Sequence, residues 1–433
     1  MEQKTSEGLV RGIRRWELAA MAVNGIIGAG IFGLPSEVFS RIGVYSLFAF
    51  AACALVVVVI ILCFAEVGSR FSETGGPYLY AREAFGPLVG FEVGWLIWVA
   101  RLTAFAANSN LLLGYVSFFW PAASVNPWRP IIIASLVVMI SLVNILGVRD
   151  AAAVSDFFTV GKLIPLVLLI AAGLFFIQPV RYSLGPAPGY GEFSSSCLLL
   201  IYAFSGFEMA LIPAGEARDP RRNLPFALFT AVGVVAVLYM LIQIVCIGTL
   251  NDLAASKRPL ADAASGFLGS AGGAIVSAGA LVSILGNLNV ILLAGSRLPF
   301  AMAERSELPK FIGSVHHRFR TPHVSILITA AVMLALTLSG TFVYAATISA
   351  IARLLTYAAS CAALPVLRKR ERDLPALFRA PGGVVLAIVA LVLCAWLLSN
   401  SSGEQRRDSA IAGAIGLLVY VLCKQRRKPS ASE

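Results

Sequence analysis

Stretches of about twenty apolar residues recur from one end of this 433-residue chain to the other. Each matches the roughly 20 residues that a helix needs to cross a hydrocarbon core about 30 Å thick. With 58% hydrophobic and only 13% charged side chains, the chain has too little polar surface to enclose a soluble fold. An all-α membrane protein is expected. Reading apolar runs between polar breaks places 12 transmembrane helices near 16–39, 43–68, 85–118, 130–147, 153–177, 193–213, 225–250, 270–303, 324–339, 343–367, 382–400 and 409–423. The whole of 1–433 is read as one integral membrane domain.

An even number of spans puts both ends of the chain on one side. Loops on that side carry Arg14, Arg15, Arg70, Arg82, Arg222, Arg305, Arg368, Lys369 and Arg370 among others, whereas the opposite loops hold Arg41, Arg129, Arg181, Lys257, Arg258, Arg406 and Arg407. The positive-inside rule then predicts cytoplasmic termini, 1–15 and 424–433, at the cell membrane, and reads the net charge of +11 as a sign of topology, with no nucleic-acid partner. Segment 1–16 lacks the apolar core and cleavage site of a signal peptide. The seven cysteines lie scattered in apolar runs and read as small buried hydrophobes. Two connections stand out: Ser69 to Phe85, too polar to span and read as a cytoplasmic or re-entrant hairpin, and Arg297 to Pro322, read as a long cytoplasmic link. Its His316 and His317 have no carboxylate or thiol at ligand spacing, so no metal is expected. No Walker A lysine, zinc motif or catalytic triad pattern occurs, and no cofactor is implied.

Two of the spans are interrupted. Asn24 to Pro35 holds Gly25, Gly28, Gly30 and Gly33, each costing about 1 kcal/mol relative to Ala in a helix interior. Unwound backbone at membrane depth is tolerated only where it faces a cavity or another polar group; the competing reading is a small-residue stripe for close helix packing. Leu198 to Pro213 holds Ser205-Gly206, the carboxylate of Glu208 and Pro213. These two spans lie five helices apart and run in opposite senses, the pattern of an inverted-repeat transporter with its site at the midplane.

Gly28-Ala29-Gly30-Ile31-Phe32, the stretch Tyr202 to Glu208, and Gly215-Glu216-Ala217-Arg218-Asp219-Pro220-Arg221-Arg222-Asn223-Leu224-Pro225 together resemble the amino acid–polyamine–organocation (APC) permeases, and the proton-coupled bacterial and archaeal members in particular. The resemblance covers nearly the whole chain. It implies a LeuT-like five-plus-five inverted repeat, 16–177 and 193–367, with helices 11 and 12 appended at 382–423. It also implies transport of amino acids or polyamines by alternating access.

A half-helix that starts after an unwound turn offers free N–H groups and a positive dipole end. A substrate carboxylate is therefore expected at the amides of Ala29 and Gly30, with Gly28 allowing close approach. By the resemblance, the carbonyls of Ile26, Tyr202, Ala203 and Ser205 take the substrate ammonium. Phe204 and Phe207 are candidates for an aromatic gate or for packing. Asn287, Asn289 and Tyr357 either line the pocket or tie helices together.

Three charged residues at membrane depth complete the candidates. A lone transmembrane carboxylate such as Glu208 costs roughly 2.5 to 3.5 kcal/mol on insertion scales and so faces the bundle interior with a partner. Arg101 is expected to be that partner, with a substrate carboxylate as its alternative, and Arg353 competes for Glu208. Lys162 either snorkels to the interface or faces the bundle, where burial makes its charged form costly enough to load and release a proton. It resembles the helix 5 lysine of proton-coupled family members, and the resemblance puts its ammonium on helix 1 carbonyls near Asn24 or Ile27. The function expected is secondary, sodium-independent, proton-coupled amino acid transport, with protons and lipid as the other partners. A cationic amino acid or polyamine antiporter is the alternative within the fold; a channel or a non-transporting sensor is the alternative outside it. An enzyme is not expected, because no transmembrane span contains a histidine.

Overall fold

The computed structural model describes residues 13–71, 75–147, 151–216, 220–370, 375–376 and 378–425, with side chains outside 151–160, 212–221 and 425. Segment 1–12, Ala217-Arg218-Asp219 of the motif quoted above, and the tail 426–433 therefore lie outside the described residues.

The first interrupted span is α1 (Arg15–Ile26) and α2 (Gly30–Ile42), separated by three unwound residues. A turn at Gly43, with φ of +56°, leads into α3 (Ser46–Gly68). The polar segment read as a hairpin contains α4 (Pro77–Phe85). Pro77 begins it, where the missing N–H is harmless, and six of its residues are buried. α5 (Pro87–Phe119), α6 (Trp128–Leu146) and α7 (Ala151–Gly173) complete the first half.

The second interrupted span is α8 (Tyr190–Phe204), an extended Ser205-Gly206 step, and then Phe207–Glu216 wound as a 3-10 helix. The expectation of 193–213 holds for position but not for winding, since the tighter 3-10 turn follows the break. α9 (Pro220–Thr249) comes next. α10 (Pro259–Glu304) begins well before the expected residue 270, with a kink at Gly269, where φ is +69°. That glycine hid the extra turns, because a positive φ reads as a helix stop. α11 (His323–Ser339), α12 (Phe342–Lys369), α13 (Val384–Ser399) and α14 (Gly403–Gln425) finish the chain.

Among the described residues, seven helices are long and apolar enough to cross a membrane, or eight if α13 and α14, bent by 118°, form one span. α5 lies at the centre, packed on α10, α12, α4, α11 and α14. The two interrupted spans lie side by side: α2 packs on α8, and α1 packs on the 3-10 segment and on α9. They therefore run antiparallel, with their breaks at the same level.

Candidate functional site

Backbone touches backbone where the breaks meet. Gly206 has φ of +113°, and a Cβ there would sit 2.1 Å from the Gly25 carbonyl oxygen. A Cβ on Gly25 would fall 2.6 Å from the Gly206 oxygen, and one on Gly30 would fall 2.7 Å from the Ala203 Cα. The glycines thus serve both readings of the sequence at once. They bracket an unwound turn, and they let two helices approach to backbone contact. Gly28 differs, because its nearest neighbour is the Asn287 side-chain amide, 2.4 Å from an added Cβ.

Lys162 of α7, only 5% exposed, donates from Nζ to the carbonyls of Asn24 at 2.7 Å and Ile27 at 2.8 Å. Asn24 lies in the last turn of α1 and Ile27 is the first residue of the break, and both carbonyls are left over because α1 has no next turn to donate to them. The lysine faces the bundle and does not snorkel.

Among the expected ammonium acceptors, Ile26 and Ala203 both lie within reach of one donor that the sequence reading overlooked. The Tyr239 hydroxyl on α9 stands 3.1 Å from the Ile26 carbonyl and 3.2 Å from that of Ala203, joining the two breaks. The Ile26 carbonyl also accepts from Gly28 N–H at 2.8 Å. The Tyr202 carbonyl accepts from the Ser205 hydroxyl at 2.8 Å. The signal for Tyr239 was its spacing of four from Gln243, which aligns two polar side chains on one face of an apolar helix. Gln243 is likewise fully buried and donates to the Ser46 hydroxyl at 2.8 Å.

Phe204 and Phe207 are packed into the core. Phe204 lies edge-on to Phe50 and Tyr239, and Phe207 contacts Phe64 and Tyr357 with centroids 5.4 and 5.1 Å away. The Tyr202 hydroxyl bonds the Asn108 side chain on α5. Asn289 ties α10 to Asn144 of α6 at 2.8 Å.

The carboxylate of Glu208 does not pair with Arg101 as expected. Its partners are Arg353 in an ion pair, the Tyr357 hydroxyl at 3.0 Å and the Gly206 N–H at 2.9 Å. Arg353 and Tyr357 stand four apart on α12 and so present two donors on one face. Arg101 on α5 lies within electrostatic reach of both Glu208 and Arg353. Its one hydrogen bond is from Nη2 to the Met209 sulfur at 3.6 Å, and its buried Nη1 has no partner among the described residues.

A second ionic group, unanticipated from sequence, joins the ends of α3 and α12. The fully buried Glu66 accepts from Arg70 at 3.0 Å, from Arg368 at 2.7 and 2.6 Å, and from the Ala380 N–H at 2.9 Å. Nearby on α4, the Tyr78 hydroxyl bonds Glu307 at 3.1 Å and accepts from Arg82 at 2.9 Å. Burial, and then the Glu307 carboxylate, raise this hydroxyl above the ordinary tyrosine range against the opposing pull of Arg82 and Arg305, so it stays a neutral donor.

A family model described as amino acid permease matches residues 13–422. The serine/threonine exchanger SteT of Bacillus subtilis is 27% identical over 97% of this chain and 98% of its own length. The methylthioribose transporter of the same organism is 26% identical over 98% and 95%, and its branched-chain amino acid permease BcaP is 24% identical over 97% and 94%. Because that match runs through both breaks and every residue gathered on them, the chain belongs to the amino acid permease family, and is a multi-pass membrane transporter, not an enzyme.

Proposed function

We propose that the protein is a secondary active amino acid transporter of the cell membrane, coupled to protons and independent of sodium. In this reading its twelve spans form a five-plus-five inverted repeat, with both termini in the cytoplasm. Family membership supports the amino acid substrate, and a relative named as a serine/threonine exchanger supports exchange as one mode. The basic-residue asymmetry supports the orientation, which labelling of single cysteines from either side of the membrane checks.

The substrate carboxylate binds the first amides of α2, at Ala29 and Gly30, where orphan N–H groups and the dipole favour an anion. The ammonium takes the carbonyls of Ile26, Tyr202, Ala203 and Ser205. For Ile26 and Ala203 it replaces the Tyr239 hydroxyl, and loading thereby separates two breaks that the hydroxyl holds together.

The observation that carries the coupling is the seat of Lys162 on the Asn24 and Ile27 carbonyls. As an ammonium it donates to both, and after losing its proton it holds them only weakly. Protonation is therefore linked to the shape of the break beside the substrate amides. A cationic substrate is disfavoured, because Glu208 is already engaged by Arg353. The test is uptake by purified protein in liposomes. Native protein should accumulate amino acid under an inward proton gradient without sodium, and Lys162→Met should abolish accumulation while some exchange survives. Sodium-dependent native uptake, or undiminished accumulation by Lys162→Met, removes the lysine from the mechanism.

A further inference from the structure

We infer that the preferred substrate carries a second carboxylate, received by Arg101; the inference rests on the amino acid transporter reading above. Among the described residues, four charged side chains surround the breaks: Lys162 of α7, Arg101 of α5, Arg353 of α12 and Glu208 after the α8 break. Three are basic and one is acidic. Glu208 is already engaged by Arg353, Tyr357 and the Gly206 N–H. Lys162 is seated on neutral carbonyls. The next carboxylate along α5, Glu92, lies nine residues before Arg101, about 13 Å away by helical rise.

Arg101 is thus a buried guanidinium, 6% exposed, with a thioether as its hydrogen-bond acceptor and Nη1 unsatisfied. A thioether is a weak acceptor, and a guanidinium cannot discard its proton to relieve burial. Such a cation needs an anion to make burial tolerable. Its position says which anion. Met209, which Arg101 contacts, lies against Gly25, with its Cβ 3.3 Å from where a Gly25 Cβ would be. Arg101 is thus one side chain removed from α1 at the turn that leads into the break. A zwitterion leaves the local excess of positive charge unchanged. An amino acid with an acidic side chain removes one unit of it, and a planar carboxylate matches the guanidinium fork.

The experiment compares each acid with its amide, which has nearly the same shape without the charge. Full-length protein in liposomes is assayed by exchange of aspartate against asparagine and glutamate against glutamine, with serine and leucine as neutral references. Native protein should prefer acid over amide by about tenfold or more, the scale of one charge-assisted hydrogen bond. Arg101→Gln should collapse that ratio, and Arg101→Lys should restore part of it. Native exchange of neutral amino acids with the acids rejected overturns this inference and leaves the transporter reading standing. No exchange of any amino acid overturns both. An unchanged acid-to-amide ratio in a monodisperse Arg101→Gln protein overturns the role of Arg101; if that variant does not fold, the native ratio together with that of Arg101→Lys decides.

Discussion

The ionic group at Glu66 and the one around Arg101 are both buried charges between helices, yet they are built oppositely. At Glu66 each carboxylate oxygen has two donors, drawn from Arg70, Arg368 and the Ala380 N–H. Around Arg101, as at Glu66, two arginines face one carboxylate, but Arg101 makes no hydrogen bond to Glu208, and among the described residues Arg101 Nη1 and Arg353 Nε are buried without acceptors. A carboxylate that every neighbouring cation reaches clamps its helices, whereas a guanidinium that no carboxylate reaches leaves room for an anion to arrive. The difference separates a fastening from a site: α3 and α12 are tied at one end by Glu66 and left electrostatically open at the breaks.

The largest expected effect breaks the fastening. Glu66→Gln removes the carboxylate that Arg70 and Arg368 share. Loss of one member of a buried pair costs about 3–5 kcal/mol. Arg368 is 29% exposed and can turn toward water, which places the loss at the lower end, about 3 kcal/mol. Thermal unfolding in detergent checks this, and a melting temperature equal to native would mean that Glu66 is not a fastening.

Next comes Gly206→Ala, which probes whether the breaks are held by backbone contact more than by ions. The added Cβ meets the Gly25 carbonyl, and the φ of +113° is strained for any side chain. The combined penalty is about 2–4 kcal/mol. Substrate binding should be lost even where the protein still folds, whereas Gly28→Ala, which pushes on a movable Asn287 side chain, should be milder. Equal binding by Gly206→Ala and native protein would count against the breaks as the site.

The smallest effect sharpens the comparison. Tyr239→Phe deletes the hydroxyl between the Ile26 and Ala203 carbonyls and should cost about 1 kcal/mol of stability. If the substrate ammonium replaces that hydroxyl, the variant should bind substrate at least as tightly as native protein. Weaker substrate binding, measured by calorimetry, would instead make Tyr239 a direct contact.

Much of this arrangement could be read from residue order. Glycine clustering located the first break, and Ser205-Gly206 located the second, because backbone propensity is local. The neighbours of Lys162 were anticipated through the family resemblance, at Asn24 and Ile27. The pairing of Glu208 was not. Arg101 and Arg353 were both available on charge alone, and choosing between them needs the rotation and depth of α5 and α12 about the break. The spacing of Arg353 and Tyr357 was legible but says only that they share a face. Glu66 escaped notice because it lies two residues before the apparent end of a span, where a carboxylate ordinarily meets water. Its burial comes from Ala380 and Arg368, more than three hundred residues away in the chain.

The sequence by itself therefore determined the membrane class, the two interruptions and the family, all of which follow from composition, local backbone preference and motif. Tertiary structure alone decided which charges are spent on one another and which are left open. That outcome depends on how helices distant in sequence are turned and stacked, and hydrophobic periodicity constrains a helix face only to within a broad arc. Within that arc one guanidinium found Glu208 and the other found a sulfur.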